Sequence, residues 1–381
     1  MGETVLERMK RIDADKKIAD FMAKEKMPYD FKVKYARIRA QEFVRECDKR
    51  DLNCHVSVGG LDSIVLLCFL RSIKIDVPGI SVSHLEDKSI QQIHKSLGVE
   101  RIGSAIHHTD ENGTAHRWTK QLLLQEFGFP VLSKEVAAKI ELLANPSEKN
   151  KTVRHAIITG ETGEYGGFQT DSRMKLADRW LELFGGYANE EERVSYKKPP
   201  FSVSSKCCYY LKEKPCDDWA KEHNSVPFLG LMASEGGRRA KSLRVNGCNY
   251  FGATTIRSAP FAIFHRQDIL QLALDLEVPI PEVYGEIVKD PDGTLRTTKA
   301  QRTGCSMCGF GIHIEKRPHR FDLLRERNPK EWDYWMYRCV TDPVTGEKYG
   351  WGRVLDYIGV GWENDPYTDC VGQMNIFEEE T

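Results

Sequence analysis

Through the first fifty positions apolar residues recur at three- and four-residue spacings, with Ile18, Phe21, Met22, Tyr35, Ile38 and Phe43 set among charged neighbours. That period marks amphipathic helices, so residues 1–45 are expected to form a helical N-terminal segment. The pattern then changes. Cys54 to Val58 is a short apolar run that stops at Gly59-Gly60-Leu61-Asp62-Ser63, and the apolar block Ile64 to Leu70 follows at once. The order is strand, glycine turn, buried helix. Further strands are expected at Val77 to Val82, Arg101 to Ala105 and Val226 to Leu231, and helices at Ser89 to Leu97, Ser133 to Leu143 and Asp268 to Leu276. Strands alternating with helices make a mostly parallel sheet, and right-handed crossovers stack them into one open α/β sheet.

Residues 46–320 are therefore expected to form the main domain, with a charged, glycine-containing insertion at about 160–200. Residues 321–381 read as a C-terminal extension rich in Trp and Tyr. The composition bounds the function. Among 381 residues, 55 Lys+Arg stand against 56 Asp+Glu, and 40% are hydrophobic. Disorder is excluded for most of the chain, and the balanced charge gives no global attraction to nucleic acid or anionic membrane. No apolar run approaches the eighteen or so residues of a membrane span. The charged N-terminus has no signal-peptide core, so a reducing, cytoplasmic location is expected. There the 11 Cys are metal ligands, redox thiols or core residues rather than disulfides.

Chemistry concentrates in three places. A glycine turn that opens a helix offers backbone amides and the positive helix end to an anion, as in many phosphate sites. Gly59, Gly60 and Leu61 let the main chain approach, Asp62 orients the loop, and Ser63 offers a hydroxyl. Cys207-Cys208 and Cys305-x-x-Cys308 together supply four thiolates, which suit tetrahedral zinc or a [4Fe-4S] cluster equally. Between them, EGGRRAKSLRVNG sets Arg238, Ser242 and Arg244 in a basic stretch suited to phosphate or sulfate oxygens.

The string HVSVGGLDS resembles the PP-loop, the SGGxDS signature of ATP pyrophosphatases and of the phosphoadenylylsulfate and adenylylsulfate reductase family. Val58 replaces the first Ser of that motif, and Ser57 stands one residue earlier. The Cys-Cys pair followed by a distant CxxC is similar to the cluster pattern of assimilatory adenylylsulfate reductases, and Gly236, Arg238 and Ser242 match that family's basic segment. The resemblance implies a Rossmann-like doubly wound sheet, an adenine nucleotide on Ser57, Gly59, Gly60, Leu61, Asp62, Ser63, Arg238, Ser242 and Arg244, and an iron–sulfur cluster, with zinc the alternative. It also implies sulfur transfer or chemistry at a nucleotide α-phosphate, with Asp62 and Ser63 as catalytic residues and Mg²⁺ accompanying ATP. A sulfur or electron donor protein is an expected partner, and a nucleic-acid acceptor a further one. The family's reductases carry a nucleophilic Cys in a C-terminal Glu-Cys-Gly-Leu-His segment, which is missing here; Cys370 is the nearest substitute. Two alternatives stand beside this reading: a sulfonucleotide reductase that releases sulfite, and a non-catalytic nucleotide-binding accessory protein with a structural four-cysteine metal site.

Overall fold

The computed structural model describes residues 5–186, 188–189, 194–364 and 366. Cys370 lies outside the described residues. The chain divides into two compact units, one built from Met1–Gly103 and Lys212–Cys305, the other from Ser104–Leu211 and Ser306–Thr381.

The first unit is α/β. Helices α1 (Val5–Glu25) and α2 (Tyr29–Asp48) lead to β1 (Asn53–Ser57), α3 (Leu61–Ser72), β2 (Gly79–Ser81), α4 (Lys88–Ser96) and β3 (Glu100–Arg101). Its second segment adds α5 (Lys214–Glu222), β4 (Ser225–Phe228), α6 (Gly237–Asn246), β5 (Asn249–Phe251), β6 (Ile256–Ser258) and α7 (Arg266–Asp275). The six strands lie in the order β3-β2-β1-β4-β6-β5, parallel throughout except that β5 runs against β6. The mostly parallel sheet expected from the alternating pattern is present. β3 ends sooner than the strand expected over Arg101 to Ala105, because Ala105 belongs to the second unit, where its amide donates to the Tyr210 carbonyl at 2.9 Å.

Burial explains which element sits where. α3 is apolar on nearly every side and buries Leu61, Ile64, Val65, Leu66, Leu67, Phe69 and Leu70, as a helix in the middle of a core must. α7 starts where Asp268 accepts from the His265 amide at 2.7 Å, and the same carboxylate takes an ion pair from the buried Lys32 of α2 at 2.7 Å. One carboxylate thus caps α7 and ties it to α2.

His55, in β1, is buried and neutral. Its Nδ1 lies 2.8 Å from Ser225 Oγ, and burial, helped by the charge of His223, lowers its pKa from 6.5 to about 4. The unfolded chain therefore binds this proton first. The stabilisation is complete above pH 6.5 and is lost as the pH falls from there toward 4, by up to about 3 kcal/mol. In urea titrations across that window, His55→Phe is expected to flatten the slope of stability against pH; an unchanged slope would exclude His55 as its source.

The second unit is helical around an aromatic core. Helices Lys120–Glu126, Lys134–Ala144, Lys151–Thr159 and Asp178–Phe184 come from its first segment, and Arg320–Arg327, Pro329–Tyr337 and Trp351–Ile358 from its second. Trp351 is wholly buried and meets Phe129 edge-on at 4.9 Å and Phe321 at 5.4 Å between ring centroids. Among the described residues, Trp332, Trp351 and Trp362 are thus core material for this unit. No helix among the described residues is long and apolar enough to cross a membrane.

Candidate functional site

β1 pairs with β2 on one side and β4 on the other. From β1 the chain winds outward through β2 to β3 and later returns to start again at β4. The carboxyl ends of β1 and β4 therefore form the switch point of the sheet, where open α/β sheets hold ligands. The glycine turn lies there. Ser57 closes β1, in register with Ile80; Val58 is buried, its amide donating to the Ile80 carbonyl at 2.8 Å. Gly60 is the N-cap of α3 and has no side chain to cap it. The loop after β4 touches the turn through Gly230, where a Cβ would stand 3.1 Å from the main chain of Asp62 and of Ser63.

Hydrogen bonds stiffen this turn. Ser63 Oγ accepts from the Gly59 amide at 2.7 Å and donates to the Gly60 carbonyl at 2.9 Å, so its proton is held inside the loop. The Leu61 amide donates to Tyr284 Oη at 3.1 Å, and that hydroxyl also bonds to Thr303 Oγ1 at 3.0 Å. Among the described residues, the amides of Gly60, Asp62 and Ser63 meet no acceptor. These are the orphan donors of a helix start, the groups that bind anions elsewhere.

Charged side chains ring the turn in opposite pairs. Asp62 pairs with Arg266, whose guanidinium also donates to the Gln301 carbonyl at 3.2 Å. Burial raises the Asp62 pKa, and Arg266 opposes that rise. Arg302 lies 3.8 Å from Glu235. Glu86, buried beside Gly59, takes an ion pair from Lys212 at 2.5 Å. Lys212 also donates to the Cys305 sulfur; burial alone would lower its pKa, but Cys305 and Glu86 together raise it. Tyr284, Arg266, Arg302, Glu86, Lys212 and Gly230 thus surround the turn from distant parts of the sequence.

In the basic stretch, Arg244 and Ser242 both make side-chain contacts within the first unit. Arg244 pairs with Glu25 of α1 at 3.2 Å, and Ser242 Oγ accepts from Arg257 at 3.1 Å. Both contacts tie α6 to the rest of the unit. The side chain of Arg238 lies outside the described residues.

Within the second unit one segment bridges to the chain near Cys207-Cys208 and again near Cys308. Phe129 forms a parallel bridge with Val203, four residues before Cys207, and Leu132 forms one with Phe310, two residues after Cys308. Cys207 and Cys208 occupy the short helix Lys206–Cys208. The CxxC loop is shaped by positive φ at Gly304 and Met307 (95° and 53°) and held by Ser306 Oγ on Glu331 at 2.8 Å. Gly309 follows, where a Cβ would fall 2.2 Å from Trp351 and 2.7 Å from the Pro130 carbonyl. Cys305 is the last residue of the first unit. None of the described cysteines is in a disulfide. Among the described residues no group of three or more His, Cys, Asp or Glu side chains is gathered in a metal-holding arrangement.

No protein-family model matches this chain. No curated protein matches it. Among solved structures, it is similar to a phosphoadenylyl-sulfate (PAPS) reductase from Candida auris in a phosphate complex, at 12% identity and a TM-score of 0.31, over 67% of this chain and 89% of that one.

Proposed function

We propose that this chain binds an adenine nucleotide, ATP or a sulfonucleotide, and acts in sulfur handling with a four-thiolate iron–sulfur centre. The observation that carries the reading is the glycine turn at the switch point, with the amides of Gly60, Asp62 and Ser63 available to an oxyanion. Phosphate oxygens accept from those amides. Arg266 and Arg302, each already held by a carboxylate, neutralise the added charge once the nucleotide competes for them. Because the cations around the turn are matched by Asp62, Glu235 and Glu86, a polyphosphate gains most when Mg²⁺ accompanies it.

By ligand type the donor set suits the cluster, since Cys207, Cys208, Cys305 and Cys308 are thiols outside disulfides, though among the described residues they are not gathered in a metal-holding arrangement. A bound [4Fe-4S] cluster would supply a place for sulfur or an electron. Lys212 adjoins Glu86 beside the turn and Cys305 at once, so one ammonium links the nucleotide site to a cysteine of the centre. Anaerobically purified protein is expected to contain about four iron and four sulfide per chain, and Cys305→Ser with Cys308→Ser to lose nearly all of both. One zinc per chain would replace the iron–sulfur reading, and absence of any metal would remove the centre.

A binding screen with ATP, adenylylsulfate and phosphoadenylylsulfate tests the nucleotide reading; failure of all three ends it. The hydroxyl of Ser63, turned into its own loop, favours a second reading, a nucleotide-binding accessory protein. Tight binding without consumption would select it, and sulfite release lost in Cys370→Ser would select a sulfonucleotide reductase.

A further inference from the structure

His94 reaches the glycine turn from α4. The ring is buried, 2% exposed, with Nε2 2.8 Å from the Gly59 carbonyl oxygen. A carbonyl only accepts, so Nε2 carries a proton and donates it. Nδ1 is buried and has no partner. The ring therefore makes one directed bond, and that bond is to the main chain of the turn.

The peptide it grips has unusual freedom. It joins Gly59 to Gly60, and neither residue has a Cβ to bar rotation about the bonds that flank it. A trans peptide points its C=O and N–H in opposite directions. With the Gly59 carbonyl drawn toward His94, the Gly60 amide faces away from α4, as one of the donors that meet no acceptor in the chain. Were the peptide to turn over, a carbonyl oxygen would face the same space. A phosphate would then meet a negative dipole where a donor had been.

We propose that His94 is a positioning residue for an oxyanion: by anchoring the Gly59 carbonyl it keeps the Gly59–Gly60 peptide turned so that the Gly60 amide serves a phosphate group. The proposal rests on the nucleotide reading of this turn and adds to it the residue that fixes its polarity. Glu86, the other buried side chain beside Gly59, is an acceptor committed to Lys212 and cannot hold a carbonyl. His94 is the donor that can.

Calorimetric titration with inorganic phosphate and with ATP tests this in wild type, His94→Gln, His94→Asn and His94→Leu. Gln carries an N–H to about the reach of Nε2, whereas Asn is too short and Leu has none. Removing the anchor is expected to weaken both probes about tenfold or more in the Leu and Asn variants, the scale of one hydrogen bond to a charged group, and His94→Gln is expected to stay near wild type. Carbonyl-¹³C and ¹⁵N labelling of glycine alone restricts the amide spectrum to Gly–Gly peptides. On phosphate addition the Gly60 signal is expected to move downfield in wild type and the Gln variant and to stay still in the other two. If the Leu variant does not fold, the Asn and Gln pair carries the comparison. Equal affinity and an equal Gly60 shift in all folded variants would overturn the role of His94 while leaving the nucleotide site intact. Failure of wild type to bind either probe would overturn both.

Discussion

Gly60→Val is expected to weaken adenine-nucleotide binding by at least about a hundredfold, the scale of losing two hydrogen bonds to a charged group. The cause is steric and local. A Cβ at Gly60 would stand 2.6 Å from Tyr284 Oη, and that hydroxyl is pinned between the Leu61 amide and Thr303. Either Tyr284 moves and releases the start of α3, or the turn opens and its amides diverge. Both outcomes spoil the anion cradle. Gly60→Ala gives a milder version, with about 1–3 kcal/mol of lost stability from overpacking. On a Tyr284→Phe background the clashing oxygen is gone, so the Ala substitution should cost less there than in wild type. Equal costs on the two backgrounds, measured by urea unfolding, would show that Tyr284 does not crowd the turn.

Trp351→Ala is expected to cost about 3–5 kcal/mol of stability, the range for emptying a large buried aromatic site. Trp351 is fully buried and touches Phe129, Phe321 and the backbone of Gly309. Its loss opens the core on which the Phe129–Leu132 segment rests, and that segment carries the bridges to both cysteine-bearing stretches. Metal retention should therefore fall together with the melting temperature. Gly309→Ala, which drives a methyl into Trp351, is expected to destabilise wild type and to cost less in the Trp351→Ala background. It remains unfavourable there because the added methyl would still stand 2.7 Å from the Pro130 carbonyl oxygen. A Trp351→Ala protein with unaltered melting temperature would refute this account of the second core.

The strand, glycine turn and helix were legible because their signals are local: two adjacent glycines after an apolar run, then seven apolar residues in a row. The parallel sheet followed from the alternation of elements. The residues around the turn were not legible. Tyr284, Arg266 and His94 lie more than thirty positions from it, each in a stretch whose local pattern reads as ordinary helix or loop. The ion pair of Arg244 with Glu25 was equally hidden, since the two residues lie far apart in the sequence. Division of the chain into interleaved units was hidden for the same reason. Phe129 and Trp351 share a core across more than two hundred residues of sequence, and no periodicity reports such a contact. The His94 bond had one faint cue, a histidine on the buried face of a short helix with Ile90, but its target was a main-chain atom, which sequence never names.

On the proposed reading, the start of α3 grips the phosphates of an adenine nucleotide. A crystal structure of the protein with ATP or adenylylsulfate would decide it. Phosphate oxygens are expected within hydrogen-bonding distance, about 2.7–3.2 Å, of the Gly60, Asp62 and Ser63 amides, with Arg266 turned toward them. Nucleotide bound at saturating concentration anywhere else, with those amides facing solvent, would contradict it.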